Sequence, residues 1–167
     1  MTAKNMSQPE QPASTQLRGK SDLRQRILVV DDEPDICRLS TEVLIRSGYE
    51  VAAAEDGAAA WQALKTHSYD LLITDHNMPK VTGVELLKKL HAARMAMPVI
   101  LVTGAVPTEE LKRHPWLQID ATLLKPYTTD ELLVTVQKVL RAFERPREGV
   151  EPPPEHRSQP PSPGWRL

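Results

Sequence analysis

The chain has 167 residues, 40% of them hydrophobic and 26% charged, with a formal net charge of −1. This length supports one well-packed domain but hardly two. The sequence has no apolar run near the roughly 20 residues of a membrane span. It also has no hydrophobic N-terminal segment typical of a secretory signal. We therefore expect one domain in a cytoplasmic protein without membrane contact, and the lone Cys37, which cannot form an internal disulfide, fits that compartment.

Charge and proline content divide the chain into three segments. Residues 1–25 have an excess of basic residues and no apolar pattern, so we expect a disordered arm whose scattered charges do not bind nucleic acid. Residues 144–167 hold seven of the 15 prolines and are expected to form an extended, disordered tail. Residues 26–143 contain almost all of the apolar periodicity and are expected to be the folded domain.

Short apolar runs alternate with amphipathic stretches along the middle segment. The runs are residues 27–30, 51–54, 71–75, 99–103 and 121–125. Apolar runs without polar alternation are typical of strands buried on both faces. An amphipathic stretch follows each run, which predicts five helices. Strands that alternate with helices predict a parallel sheet covered by helices on both faces, with right-handed crossovers.

Local signals mark where several of these helices begin and end. Gly48 is expected to stop the first helix. Residues 82–85 and 128–131 both read Thr-x-x-Glu, the spacing of a capping box, ahead of the third and fifth helices. The fourth helix, expected between residues 107 and 118, should be short and irregular because Pro115 lies inside it.

Polar side chains follow the predicted strands at one edge of the sheet. Asp31 and Asp32 come after the first strand, Asp75 ends the third, Thr103 ends the fourth and Lys125 ends the fifth. Three neighbouring carboxylates repel each other, so either their proton affinities rise or a cation joins them, and oxygen ligands favour Mg²⁺ over zinc or copper. Thr103 and Lys125 could then hold phosphoryl oxygens beside the metal, with the Asp75 carboxylate as the oxygen that receives the phosphoryl group.

Four short motifs stand in order at the ends of the predicted strands. They are Val30-Asp31-Asp32-Glu33, the run Asp75-x-x-Met78-Pro79-x-x-x-Gly83, Val102-Thr103-Gly104, and Lys125-Pro126. Each alone is weak evidence, but their order on successive strand ends is highly specific. Over roughly residues 26–143 the chain thus resembles the receiver domains of bacterial two-component response regulators. The resemblance implies an α/β, flavodoxin-like fold with a five-stranded sheet in the order 2-1-3-4-5, for which a chemotaxis relative is the standard example.

The resemblance implies a role for each residue that would handle the phosphoryl group. Asp75 would be the phosphoacceptor, the Thr103 hydroxyl would bond to the phosphoryl group, and Lys125 would pair with it. The peptide bond between Lys125 and Pro126 is expected in the cis form that is usual in this family.

The same resemblance implies a Mg²⁺ site. Asp32 would be the direct acidic ligand and Asp31 would act through water. Asp75 and the backbone carbonyl of Asn77 would complete the ligands that the protein supplies. Mg²⁺ is therefore the expected cofactor.

Departures from the family pattern bear on how the signal leaves the site. Many members carry Tyr or Phe at the position of Thr122, a ring that moves inward on phosphorylation, so the aromatic relay is in doubt here. Pro115 makes the neighbouring fourth helix atypical as well. No effector domain follows in this sequence, so we expect the output to pass through a separate, unidentified protein or by phosphate relay. A homodimer is also compatible with the sequence. The phosphodonor would be a sensor histidine kinase or a phosphotransfer protein.

Three functional classes are compatible with these observations. The first is a stand-alone receiver that is a phosphorylated signalling protein, with at most slow self-dephosphorylation. The second is a scaffold that uses the same fold without phosphorylation. The third is a nucleotide-binding enzyme, which the sequence disfavours because acidic residues replace a glycine-rich phosphate loop after the first strand. We expect the first class. His76, beside Asp75, is interpreted as an exposed loop histidine.

Overall fold

Five strands and five helices alternate along residues 24–144, the part of the chain that the computed structural model describes. In chain order they are β1 Arg26–Val30, α1 Pro34–Arg46, β2 Glu50–Ala54, α2 Gly57–Thr66, β3 Leu71–Asp75, α3 Gly83–Ala92, β4 Val99–Thr103, α4 Thr108–Arg113, β5 Ala121–Leu124 and α5 Thr129–Glu144. None of these described helices is long and apolar enough to cross a bilayer. The arm expected at residues 1–25 and the tail expected at residues 144–167 lie almost wholly outside the described residues.

The strands form one parallel sheet in the order β2-β1-β3-β4-β5. This order confirms the flavodoxin-like topology that the sequence implies. The register places Ile27 beside Leu71 and Ile73 beside Ile100, so the three central strands run side by side. The strand order reverses between β1 and β3, and in sheets of this kind ligands bind beyond the carboxyl ends of the strands at that point.

Side chains of each central strand alternate between two apolar clusters, one on each face of the sheet. Leu71 and Ile73 pack with Leu132 of α5 in one cluster. Leu72 packs with Leu86 of α3 in the other. Every position of β3 is buried, which is why its sequence shows an apolar run without polar alternation.

The helix starts follow the signals in the sequence. At α3 the Thr82 hydroxyl accepts a hydrogen bond from the Glu85 N–H at 3.2 Å, and the Glu85 carboxylate accepts one from the Thr82 N–H at 2.9 Å. Thr128 and Glu131 make the same reciprocal pair ahead of α5. Gly48 follows α1 with a φ of 95°, a left-handed conformation that glycine adopts without steric cost.

The β5 side of the sheet shows one confirmation and one small correction. Helix α4 is six residues long and ends at Arg113, before Pro115, as predicted. Strand β5 ends at Leu124, one residue earlier than predicted, and only Leu123 within it is buried because an edge strand has a neighbour on one side only. Lys125 therefore opens the next loop, and its bond to Pro126 is cis, as expected.

Candidate functional site

The carboxyl ends of three strands bring buried polar side chains to one edge of the sheet. Asp31 follows β1 and is 5% exposed, Asp75 ends β3 and is 3% exposed, and Thr103 ends β4 and is fully buried. The Lys125 N–H donates to the Thr103 carbonyl oxygen at 2.9 Å, which holds the residue after β5 at the same edge. Parallel pairing thus gathers four of the predicted site residues.

The ammonium group of Lys125 bridges the buried carboxylates. Its Nζ lies 3.0 Å from Asp75 Oδ1 and 3.2 Å from Asp31 Oδ2, and Oε1 of Glu33 approaches it to 3.3 Å. Burial opposes the charge on Lys125, but the hydrogen bond to Asp75 and the negative charge of Asp31 outweigh burial and raise the lysine pKa above its ordinary value. A protonated ammonium group therefore stands beside the predicted phosphoacceptor.

Asp31 is a carboxylate whose charge is only partly compensated. Burial raises its pKa, although the Glu33 N–H, 2.9 Å from Oδ1, and the ammonium group of Lys125 oppose that rise. Because the protein environment still disfavours the charged form, a further cation close to this carboxylate would stabilise it.

The remaining predicted metal ligands lie at the rim. Asp32 and Asn77 are both exposed residues. Across residues 24–144, no three His, Cys, Asp or Glu side chains are gathered into a metal centre. Mg²⁺ does not require such a cage, because it keeps several waters and takes only one or two carboxylates from a protein. The oxygen donors of Asp31, Asp32 and Asp75 therefore suit Mg²⁺, and their individual roles as ligands stay a prediction.

The hydroxyl group of Thr103 is engaged within its own loop. It donates to the carbonyl oxygen of Ala105 at 2.7 Å and accepts from the Ala105 N–H at 3.3 Å. A phosphoryl group on Asp75 would therefore have to compete with Ala105 for this hydroxyl. The predicted bond between Thr103 and a phosphoryl oxygen stays a prediction, and the structure identifies the contact that it would replace.

The loop from β3 to α3 explains why the motif that begins at Asp75 ends with a glycine, Gly83. The Gly83 N–H donates to the carbonyl oxygen of His76 at 3.1 Å, and a Cβ at Gly83 would collide with the backbone carbonyl of Asp75. In the same loop Lys80 adopts a φ of 67°, and its ammonium group pairs with Asp56 at 3.1 Å. These contacts fix the backbone just after the predicted phosphoacceptor.

His76 does not occupy the exposed position expected from the sequence. It is half-buried, and its Nδ1 has no hydrogen-bond partner among the described residues. The physical reason is that the ladder of β3 continues by one more bond, from the His76 N–H to the Val102 carbonyl oxygen at 2.8 Å. This bond holds the His76 backbone at the sheet edge, so the residue lies in the loop after β3 as expected, but the expectation that it is exposed is wrong.

Two neighbours of the site were not assigned any role from the sequence. Glu33 reaches Lys125, and its only sequence signal is its place directly after the Asp31-Asp32 pair. The Tyr127 hydroxyl lies 3.4 Å from the Ser40 hydroxyl and so joins α1 to the loop that carries Lys125. Burial raises the pKa of Tyr127, although the contact with Ser40 opposes the rise. No local sequence pattern indicates a pair that is 87 residues apart.

Comparison with known proteins agrees with this geometry. Residues 27–137 match the response regulator receiver domain family. The alkaline phosphatase synthesis transcriptional regulatory protein PhoP of Bacillus subtilis is 34% identical over 124 residues, covering 73% of this chain and 51% of PhoP. A CheY-like receiver domain protein from Methanospirillum hungatei is 30% identical, with a TM-score of 0.68, covering 72% of this chain and 97% of that one. The response regulator TrrA from Thermotoga maritima, solved in complex with Mg²⁺-BeF, is 34% identical, with a TM-score of 0.60, covering 69% of this chain and 98% of TrrA.

These comparisons show how much of its relatives' length this chain shares and which family it belongs to. The chain spans about half the length of the curated transcriptional regulators that it matches. In the receiver family, phosphorylation and Mg²⁺ binding at the phosphorylation site are standard, and histidine kinases or phosphotransfer proteins are the interaction partners. The family match covers more than half of the chain, and the chain therefore belongs to the response regulator receiver domain family, whose members are phosphoacceptors in phosphorelay signalling.

Proposed function

We propose that this chain accepts a phosphoryl group on Asp75 from a histidine kinase or phosphotransfer protein and changes its binding to another protein in response. The observation that supports this assignment is the 3.0 Å contact between the Asp75 carboxylate and the Lys125 ammonium group at the buried sheet edge. The Asp75 carboxylate is a nucleophile beside a fixed positive charge, and phosphoryl transfer requires this arrangement.

The proposed transfer is a substitution at phosphorus. An Asp75 oxygen forms a bond to phosphorus while the bond from phosphorus to the donor imidazole nitrogen breaks, and that nitrogen keeps the electron pair and takes up a proton. Lys125 neutralises charge on the phosphoryl oxygens, and it is already placed because its Nζ contacts the attacking carboxylate. The Thr103 hydroxyl gives up its hydrogen bond to the Ala105 carbonyl oxygen and donates to a phosphoryl oxygen instead.

Mg²⁺ is the proposed cofactor of this step. Asp32, Asp75 and the backbone carbonyl of Asn77 would hold it directly, and Asp31 would hold it through water. When bound, the ion would supply further neutralisation of the phosphoryl charge. The Mg²⁺-BeF complex of TrrA supports this proposal, because TrrA is 34% identical to this chain.

The experiment that tests the acceptor is incubation with acetyl phosphate and Mg²⁺. Intact mass should rise by one phosphate, labile to hydroxylamine, and Asp75→Asn should abolish the gain because an amide oxygen is a far poorer nucleophile. Asp130→Asn, which alters an exposed carboxylate in the first turn of α5, should take up phosphate as the wild type does. Phosphate mapped to another residue, or no uptake with Mg²⁺ present, would favour the scaffold alternative.

An apolar recess beside Lys125 suits the docking of the phosphodonor protein. It has a volume of about 390 Å³ and is lined by Ile36, Leu39, Tyr127 and Leu132 among others. Leu39 is 55% exposed at this recess. Leu39→Glu should slow transfer from a purified histidine kinase that phosphorylates the wild type, while uptake from acetyl phosphate stays unchanged.

The matched control for the docking surface is Ile45→Glu, because Ile45 is 51% exposed on the same helix and does not line the recess. This variant should receive phosphate from the kinase at the wild-type rate. Equal slowing in the two variants, or slowing with acetyl phosphate as well, would remove the recess from the docking surface.

We further propose that residues 26–143 act as a stand-alone receiver in the cytoplasm that passes its signal to a separate protein. Both faces of the sheet in this segment are covered by apolar side chains of its own helices, which supports the segment as a functional unit. A chain of residues 24–144 should melt within about 2 °C of the full chain and take up phosphate at the same rate. A melting temperature several degrees lower would show that another segment belongs to the folded unit.

A further inference from the structure

The Lys125 ammonium group contacts a third carboxylate besides the two buried ones. Glu33 Oε1 lies 3.3 Å from Nζ, and the Glu33 side chain is 61% exposed, whereas those of Asp31 and Asp75 are 5% and 4% exposed. An ammonium group has three N–H donors. Lys125 therefore has one carboxylate for each donor, two inside the site and one at its solvent side.

The backbone of Glu33 ties this residue to the site. Its N–H donates to Asp31 Oδ1 at 2.9 Å, and its carbonyl oxygen accepts from the Cys37 N–H at 3.0 Å at the start of α1. Pro34 follows it as the first residue of the helix. Glu33 thus cannot shift relative to Asp31 without disturbing the helix start, and its carboxylate is held at the rim within reach of Lys125.

We propose that Glu33 is a positioning residue that retains Lys125 at the site when Mg²⁺ binds near Asp31. A divalent cation there repels the ammonium group that lies 3.2 Å from the same carboxylate, so this contact must weaken. Glu33 offers the ammonium group another carboxylate on the solvent side. Lys125 then keeps Asp75 and Glu33 as partners and stays directed at the acceptor oxygen. This inference rests on the proposed function, because it gives Glu33 a part in preparing the same site.

The first test is a double-mutant cycle on Mg²⁺ affinity, followed by tryptophan fluorescence or amide chemical shifts without any phosphodonor. Glu33→Gln keeps the size of the side chain and removes its charge, and it should weaken Mg²⁺ binding about fivefold. The matched control is Asp35→Asn, because Asp35 is an exposed carboxylate two residues further on that pairs with Arg38 at 3.2 Å. The control should change the affinity much less.

The background variant Lys125→Met separates positioning from a general effect of charge. If Glu33 acts through Lys125, Glu33→Gln in that background should weaken Mg²⁺ binding no more than Asp35→Asn does. Equal effects of the Glu33 and Asp35 variants in the wild-type background, or a Glu33 effect that persists in full without the lysine, would overturn the proposal.

The second test reports on the lysine itself and does not depend on the Lys125→Met variant. Acetylation of Lys125 by an N-hydroxysuccinimide ester, measured residue by residue by mass spectrometry at saturating Mg²⁺, should be several-fold faster in Glu33→Gln than in the wild type. An unchanged rate would contradict retention by Glu33. Neither test uses a phosphodonor, so the proposal for Glu33 can fail while Asp75 is phosphorylated normally, and failure of phosphorylation would be seen separately.

Discussion

The indole ring of Trp116 packs against the imidazole ring of His91, with ring centroids 4.4 Å apart and the two planes tilted by 38°. His91 lies in the last turn of α3, Trp116 follows α4, and His114 contacts the same indole at 5.4 Å. Lys88 and Glu110 add an ion pair of 3.1 Å between the two helices. Because α4 buries none of its own side chains, contacts of this kind contribute to holding it against α3.

The first prediction is that Trp116→Ala loosens α4 selectively. An aromatic pair contributes roughly 0.5–1.5 kcal/mol, so amide hydrogen exchange in Thr108–Arg113 should accelerate up to about tenfold. Trp116→Phe keeps a ring and should change exchange much less, and Trp61→Ala in α2 should leave α4 unaffected. Exchange that accelerates equally in α2 and α4 would show a general loss of stability instead.

The position of the site could be predicted because it depends on local sequence. The apolar run of β3 is buried at every position, so the carboxylate at its end had to lie at the sheet edge. The shortness of α4 followed from Pro115, which has no N–H for the helix. Both inferences use only the chemistry of a few consecutive residues.

The anchoring of α4 and the third partner of Lys125 could not be predicted, because both depend on tertiary packing. His91 and Trp116 belong to different parts of the fold, and neither shows a periodic pattern that indicates a contact between their rings. Glu33 and Lys125 are 92 residues apart and meet only because β1 and β5 end at the same edge. The half-buried position of His76 likewise involves a different element, because its backbone N–H bonds to Val102 on the neighbouring strand.

The second prediction concerns stability as a function of pH. Burial raises the pKa of Asp31 above its ordinary value of 3.8, so the folded chain binds this proton more tightly than the unfolded chain does. The Asp31 contribution therefore lowers the free energy of unfolding as pH rises from the ordinary value through the raised pKa, and the loss is complete above it. Asp31→Asn removes this loss, while Lys125 keeps Asp75 and Glu33 as partners.

Thermal melts should therefore show Asp31→Asn to be more stable than the wild type at pH 7, by roughly 2–5 °C. The difference should shrink as pH falls towards 4. Asp32→Asn serves as the control, because Asp32 is the neighbouring carboxylate and is exposed, and the substitution should change the melting temperature little. A destabilised Asp31 variant at pH 7 would mean that its contact with Lys125 outweighs the cost of burial.

The third prediction concerns the metal ion. Mg²⁺ should bind with a dissociation constant of about a millimolar, because the ion keeps several waters and takes few carboxylates directly. Asp32→Ala should remove most of this binding in a titration followed by tryptophan fluorescence or by amide shifts near residue 32. Asp35→Ala, a change to an exposed carboxylate of the same region, should titrate as the wild type does. No response in the wild type, or an equal response after Asp32→Ala, contradicts the assignment.

The fourth prediction concerns how phosphorylation reaches a distant surface. A phosphoryl group on Asp75 can alter that surface only through an element that contacts the site differently in two states. Thr122 cannot act as the aromatic ring does in other family members, since it has no ring and is an exposed residue of the edge strand. The hydrogen bonds between Thr103 and Ala105 provide another route, because they join the buried site to the loop that leads into α4.

We expect beryllium fluoride with Mg²⁺ to change amide hydrogen exchange most between Gly104 and Leu117. Withdrawal of the Thr103 hydroxyl from Ala105 should free the loop that leads into α4. Helix α4 should respond as well, because it buries none of its own side chains. Thr103→Ala removes the hydroxyl and should abolish this response, while Asp75 still accepts phosphate from acetyl phosphate. Thr122→Ala is the matched control and should respond as the wild type does. Exchange that changes mainly at residues 121–124, or a wild-type response in Thr103→Ala, would show that the signal leaves the site through β5 instead.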